Sequence, residues 1–259
     1  MRLAAITFSS QGLKICRQLQ QDMAQLEIYL HDSVNAEDVI SFSRVMELTP
    51  RLFPKFDGLI YIAPCGVVVR SLTGCPDSKY KDPAIVVADV GGRHVISLLS
   101  GHEGGANALA IRIANIIDAK PVITTTTEAV KDLIVGVGCR RGKESQAIIA
   151  AVEKVLADRQ LAIDRVRYIA TASVKADEAG LIAAAEQLDI PLRIIPGDAI
   201  RACHFDFSSS EFVERNVGLP AVAEPAALLA GWRTSLIVQK QALDGITVAV
   251  ARENCSSLA

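Results

Sequence analysis

The residues best placed to do chemistry stand in one short stretch, Ser100-Gly101-His102-Glu103-Gly104-Gly105-Ala106-Asn107, where an imidazole and a carboxylate sit side by side between glycines. Histidine is the side chain that changes charge nearest neutral pH, so His102 is the expected general base and Glu103 the second candidate. Glycine lets backbone approach a ligand, and a helix starting near Gly105 would offer unpaired N–H groups to an anion. Ser100, Gly101, Gly104, Gly105 and Asn107 are accordingly read as ligand contacts. The competing reading is a plain glycine-requiring turn with His102 and Glu103 solvated at its tip.

Thr124, Thr125 and Thr126, with Thr127 behind them, add hydroxyl donors that suit an oxyanion or an amide, although β-propensity followed by a helix cap would place the same residues there. Gly66, in Pro64-Cys65-Gly66-Val67, marks another strand-to-helix turn. In the second half, Gly136-Val137-Gly138-Cys139-Arg140-Arg141-Gly142 is spaced G-x-G-x-x-x-G rather than G-x-G-x-x-G. Its arginines fall where a dinucleotide fingerprint needs small residues, so a nicotinamide cofactor is not expected. Gly138, Cys139, Arg140, Arg141 and the later Lys175 instead make a set for carboxylates. A helix start and two arginines would lower the Cys139 pKa, yet no base stands near it in sequence, and inert packing is the favoured reading. Asp177 and the acidic residue beside it read as helix caps first. The six cysteines are spread singly without a C-x-x-C pair, so they read as cytosolic thiols and no metal site is expected.

These motifs need a scaffold in which apolar strands end in loops that enter helices. The pattern supplies it: strands over Leu3–Phe8, Glu27–Leu30, Asp57–Ala63, Ala84–Ala88, His94–Leu98 and Pro121–Thr124, with helices over Ser10–Gln21 and Gly105–Ile117. Strands apolar at nearly every position are buried on both faces, as in a parallel sheet flanked by helices. From Leu133 the alternation restarts, with strands over Leu133–Val137, Arg167–Thr171 and Pro191–Ile195 and helices over Lys143–Asp158 and Asp177–Leu188. Short helices over Ser210–Asn216 and Glu224–Leu229, the latter with Pro225 at its first position, precede a closing hairpin of Ser235–Gln239 and Ile246–Ala251 turned at Asp244-Gly245. The fold class is therefore α/β in two lobes, each a mainly parallel sheet flanked by helices, the second closing with a β-hairpin. The domains are 1–127 and 133–259.

With 27 basic and 29 acidic residues the formal charge is −2, and only 5% of residues are aromatic, so neither the field nor the stacking platforms of a nucleic-acid binder are present. The amino-terminal apolar stretch is too short for a signal peptide, and the longest apolar run, Leu59–Val69, is far below a membrane span. A soluble, cytoplasmic protein is expected.

Taken in order, Asp82-Pro83-Ala84 with Val86–Gly92, Ile96–His102 with Gly104–Asn107, Thr124–Thr127, Val137–Gly142, Lys175–Leu181 and Val222–Leu228 strongly resemble the cobalt-precorrin-5A hydrolase family of anaerobic cobalamin biosynthesis. The resemblance covers nearly the whole chain. It implies opening of the ring A lactone of a cobalt macrocycle and loss of the methylated meso carbon as acetaldehyde, giving cobalt-precorrin-5B. It also implies a tetrapyrrole polyanion that brings its own cobalt, no separate cofactor, and neighbouring pathway enzymes as possible partners. Many members carry a further segment between the two regions, where this chain has only Glu128–Asp132. A corrinoid carrier without catalysis is the alternative, and a flavodoxin-like nucleotide enzyme ranks last.

Overall fold

The computed structural model describes residues 1–204, 219, 221–256 and 258. The chain divides into two compact units, Met1–Thr125 and Thr126–Ala259. Each holds one mixed sheet: the first is parallel except between two strands, and the second has two parallel and two antiparallel pairings.

In the first unit the order is β1 (Leu3–Thr7), α1 (Ser10–Asp22), β2 (Glu27–His31), β3 (Ile40–Phe42), α2 (Val45–Leu52), β4 (Gly58–Ile62), α3 (Cys65–Ser71), β5 (Ala84–Ala88), β6 (His94–Leu99), α4 (Ala106–Ile116) and β7 (Lys120–Val122). The strands lie in the order β3-β2-β1-β4-β5-β6-β7. β1, β4 and β5 are buried along their whole length because helices cover both faces. Alternate strand residues feed two cores. Ile60 and Val86 pack with Leu19 of α1 and Ile113 of α4, while Tyr61 and Ile85 pack with Leu48 of α2. Tyr61 keeps its hydroxyl satisfied there through a 2.8 Å hydrogen bond with Thr49 Oγ1.

One turn in this sheet departs from the simple alternation. Asp89–Arg93 joins β5 to β6, and a link this short cannot make the crossover that parallel neighbours require, which takes a dozen or more residues. The Asp89 carboxylate closes the turn by accepting the N–H groups of Gly91, Arg93 and His94 at 2.8–3.0 Å. β6 therefore pairs antiparallel with β5, and β7 pairs parallel with β6. The end of β6 consequently lies at the edge where β1, β4 and β5 begin.

The second unit contains α5 (Thr126–Ala129), β8 (Leu133–Cys139), α6 (Ser145–Asp158), β9 (Val166–Ala172), α7 (Ala179–Gln187), β10 (Leu192–Ile195), α8 (Gly197–Ala202), α9 (Ala223–Leu229), β11 (Thr234–Leu243) and β12 (Ile246–Glu253). Its sheet runs β10-β9-β8-β12-β11, with β8, β9 and β10 parallel and the β11–β12 hairpin antiparallel. Asp244 and Gly245 both take positive φ, which suits the tight hairpin turn. Two details differ from the sequence reading. α9 starts at Ala223, so Pro225 is its third residue rather than its first. Strand β8 continues through Gly138 and Cys139, and the next helix waits until Ser145, so the Gly136–Gly142 run does not open directly onto a helix. The expected helix over Ser210–Asn216 lies outside the described residues. Among the described residues no helix is long and apolar enough to cross a membrane.

Candidate functional site

The Ser100–Asn107 loop is shaped by its own hydrogen bonds. Ser100, directly after β6, takes φ +58°, a left-handed conformation unusual for a residue with a Cβ. That turn folds the chain back so that the Ala106 N–H donates to the Ser100 carbonyl at 3.1 Å and the Asn107 N–H to the Gly101 carbonyl at 2.9 Å. The Gly105 N–H donates to the His102 carbonyl. The start of α4 is thus not the open set of N–H groups expected from the sequence: the amides of Gly105, Ala106 and Asn107 are already committed within the loop. A Cβ on Gly104 would lie 2.3 Å from that of Ser100, so only glycine fits there.

Asn107 ties the loop to the threonine run. It is buried, its Oδ1 accepts from Ser97 Oγ at 2.8 Å, and its Nδ2 donates to Thr125 Oγ1 at 2.9 Å. The structure therefore brings together Ser100, Gly101, His102, Glu103, Gly104, Gly105, Asn107, Thr124 and Thr125 at one sheet edge, because β6 and β7 end there side by side. His102 and Thr124 are exposed at it, while Thr126, also exposed, begins the second unit. Gly66 is not part of this group. It follows β4, whose end lies at the opposite edge once β6 is reversed.

The loop has a neighbour that sequence spacing gave no sign of. The buried Asp82 carboxylate accepts the N–H groups of Asp77 and Ser78 and folds the 77–82 turn against the loop. That turn delivers Lys79, whose Nζ donates to Glu103 Oε1 at 2.6 Å. The Lys79 ammonium holds the Glu103 carboxyl below the usual carboxylate range, and Glu103 in turn raises Lys79. A carboxylate stabilised in its charged form is a poor proton acceptor, so the imidazole of His102 is the stronger candidate base.

In the second unit, β8, β9 and β10 end at a common edge, which the Asp244-Gly245 turn shares because Ile246 lies opposite Cys139. Here stand Arg140, Arg141 and Lys175. Arg141 pairs with Asp177 at 3.0 Å, both exposed, and Lys143 pairs with Asp244 at 2.9 Å. Gly138 is covered instead, with its Cα facing Val222 ahead of α9. Cys139 is buried at the end of β8, where burial and the nearby Glu178 raise its thiol pKa, the reverse of what a helix start would do. Lys175 and Glu178 are both buried, and Glu178 Oε1 accepts the Gly142 N–H at 2.7 Å. Glu178 thus fastens the arginine loop to the residue before α7. Gly180 allows the close approach, since its absent Cβ would lie 1.9 Å from the Lys143 carbonyl oxygen. Among the described residues, no group of three or more His, Cys, Asp or Glu side chains is gathered to hold a metal.

The chain matches two family models in order: Cobalamin synthesis G N-terminal over residues 47–128 and Cobalamin synthesis G C-terminus over residues 133–251. It is 25% identical to the cobalt-precorrin-5A hydrolase of Salmonella typhimurium over 320 aligned residues, covering 88% of this chain and 91% of that one. With the cobalt-precorrin-5A hydrolase of Priestia megaterium it shares 24% identity over 352 aligned residues, covering 96% and 94%. Both alignments are longer than the 259 residues here, so these relatives carry residues this chain lacks. Protein CobE of a Sinorhizobium species is 34% identical over 128 residues, which is 49% of this chain and 83% of that protein. With both models matched in order and only residues 129–132 between them, the chain belongs to the Cobalamin synthesis G family, the family of the cobalt-precorrin-5A hydrolases.

Proposed function

We propose that the protein is a cobalt-precorrin-5A hydrolase of the anaerobic cobalamin pathway, acting in the cytoplasm on a substrate that brings its own cobalt. The observation that carries this reading is the alignment with proteins of that name over 88% and 96% of the chain. The chemistry asks for a base to activate water, donors for the oxyanion formed at the lactone carbonyl, and cations for the peripheral carboxylates. His102 takes the proton from water as the hydroxide adds to the carbonyl. The exposed hydroxyl of Thr124 serves the oxyanion, a role left to it because the amides of Gly105 and Ala106 are committed. Collapse of that intermediate breaks the carbonyl–oxygen bond and leaves an alkoxide on the former lactone carbon. The alkoxide closes to a carbonyl as its carbon–carbon bond breaks, the bonding pair passes into the conjugated macrocycle, which takes up a proton, and the two-carbon fragment leaves as acetaldehyde. Arg140, Arg141 and Lys175, all in the second unit, are cations that suit acetate and propionate carboxylates. Glu103, kept anionic by Lys79, orients the His102 loop rather than accepting the proton.

The test is anaerobic single-turnover release of acetaldehyde from His102→Ala at saturating substrate. Its rate should fall by about a hundredfold to ten-thousandfold with binding retained. A wild-type rate would remove His102 from the chemistry. A second reading, a corrinoid-binding protein without catalysis, is favoured by the match to CobE, which takes up 83% of that protein but only 49% of this chain. Tight corrinoid binding without acetaldehyde would establish it.

A further inference from the structure

Two charged side chains are almost wholly buried at the edge where β8, β9 and β10 end, Lys175 at 8% and Glu178 at 4% exposure. One Glu178 oxygen is accounted for, because Oε1 accepts the Gly142 N–H at 2.7 Å. The other, Oε2, is buried and takes no hydrogen bond from the described residues. Lys175 Nζ stands 3.7 Å from it, near enough to feel its charge and too far to donate to it. Buried opposite charges ordinarily close to bonding distance, since stopping short leaves the cost of desolvation unrecovered. The backbone that carries the pair is fixed on both sides. Lys175 ends a helical turn over Ser173–Lys175, the Glu178 N–H donates to the Lys175 carbonyl, and Gly180 locks the next residues onto Lys143.

The neighbouring cations are differently placed. Arg141 and Lys143 already have carboxylate partners at 3.0 and 2.9 Å, whereas the carboxylate beside Lys175 stands at 3.7 Å, beyond hydrogen-bonding distance. An ammonium with a nearby countercharge and donors that no described carboxylate takes up suits a carboxylate arriving from a ligand. We propose that Lys175 grips one carboxylate arm of the tetrapyrrole ligand and that Glu178 is the positioning residue fixing both this lysine and the Arg140–Gly142 loop. The ligand class rests on the corrinoid reading above, and the role of Glu178 goes beyond it.

The experiment titrates the full chain with uroporphyrin, a water-soluble tetrapyrrole with carboxylates on every ring, following porphyrin fluorescence. Lys175→Met should weaken binding by about tenfold and Lys175→Arg should restore most of it, since one charge-assisted contact is removed and then replaced. Glu178→Gln keeps an oxygen for the Gly142 N–H and should bind within about threefold of wild type, whereas Glu178→Ala should bind about as weakly as Lys175→Met. Wild-type affinity in Lys175→Met, or no binding by the unaltered chain, would overturn the proposal. So would melting temperatures that fall across the series while affinities stay level. If Glu178→Ala does not fold, the lysine pair decides. Uroporphyrin binding that depends on Lys175, without acetaldehyde release from cobalt-precorrin-5A, would refute the hydrolase reading and leave this site standing. Acetaldehyde release with an unchanged KM in Lys175→Met would do the opposite.

Discussion

Ser100→Gly should make the protein more stable, against the usual direction of a change at a buried position. Ser100 is 6% exposed, holds φ +58°, and has a buried hydroxyl with no hydrogen-bond partner among the described residues. The left-handed backbone costs a residue with a Cβ about 1–2 kcal/mol, and glycine adopts it freely. An unsatisfied buried hydroxyl adds about 1–3 kcal/mol, which the substitution also removes. Against these stands the greater freedom of glycine in the unfolded chain, about 0.5–1 kcal/mol. The net is a gain of at least about 1 kcal/mol, most of it in the first unit. Urea unfolding followed by far-UV circular dichroism should show a higher midpoint with unchanged slope. The fluorescence of Trp232, the single tryptophan, reports on the second unit and should move less. Ser100→Ala removes the hydroxyl but keeps the strain, so its gain should be smaller. If Ser100→Gly is no more stable than wild type, the loop is not holding a strained, unsatisfied serine. Because strain of this kind gathers at functional loops, the stabilised variant should also turn over more slowly.

Asn107→Ala breaks the link from Ser97 to Thr125 and strands the buried Ser97 hydroxyl, so urea unfolding should show a loss of about 2–4 kcal/mol. Iodoacetamide labelling at pH 8, mapped by mass, should spare Cys16 and Cys139, because burial pushes the first thiol to about 12 and raises the second. Lys79 and Arg141 hold the Glu103 and Asp177 carboxyls below their unfolded values, so what these groups add to stability is present above the ordinary carboxylate range and is lost as pH falls through the lowered values. Both pairs are exposed, so high salt should flatten this acid limb, and Lys79→Met should raise the Glu103 titration midpoint seen by NMR.

The strands were legible because burial on both faces writes itself as unbroken apolar runs: Gly58–Ile62 and Ala84–Ala88 needed no tertiary information. β3 and α2 were not, since three residues carry no period and Pro50 inside α2 reads as a breaker. The direction of β6 was written in the shortness of Asp89–Arg93, and that reversal sets the Gly66 turn and the His102 loop at opposite edges of the sheet. The adjacency of Asn107 and Thr125 follows from two strands ending together. The pairs Lys79–Glu103 and Gly142–Glu178 join residues 24 and 36 apart through loops without periodicity, so no local pattern announced them. Glu178 was hidden further by standing where an acidic helix cap is expected.

This chain lacks residues that its relatives carry, yet on the proposed function it performs the hydrolysis alone. Anaerobic incubation of the purified protein with cobalt-precorrin-5A, measuring acetaldehyde and corrinoid mass in the same sample, decides the matter. One acetaldehyde per substrate consumed, together with the mass of cobalt-precorrin-5B, is the expected result. Stable binding of an unaltered corrinoid, with no acetaldehyde, would overturn the hydrolase assignment.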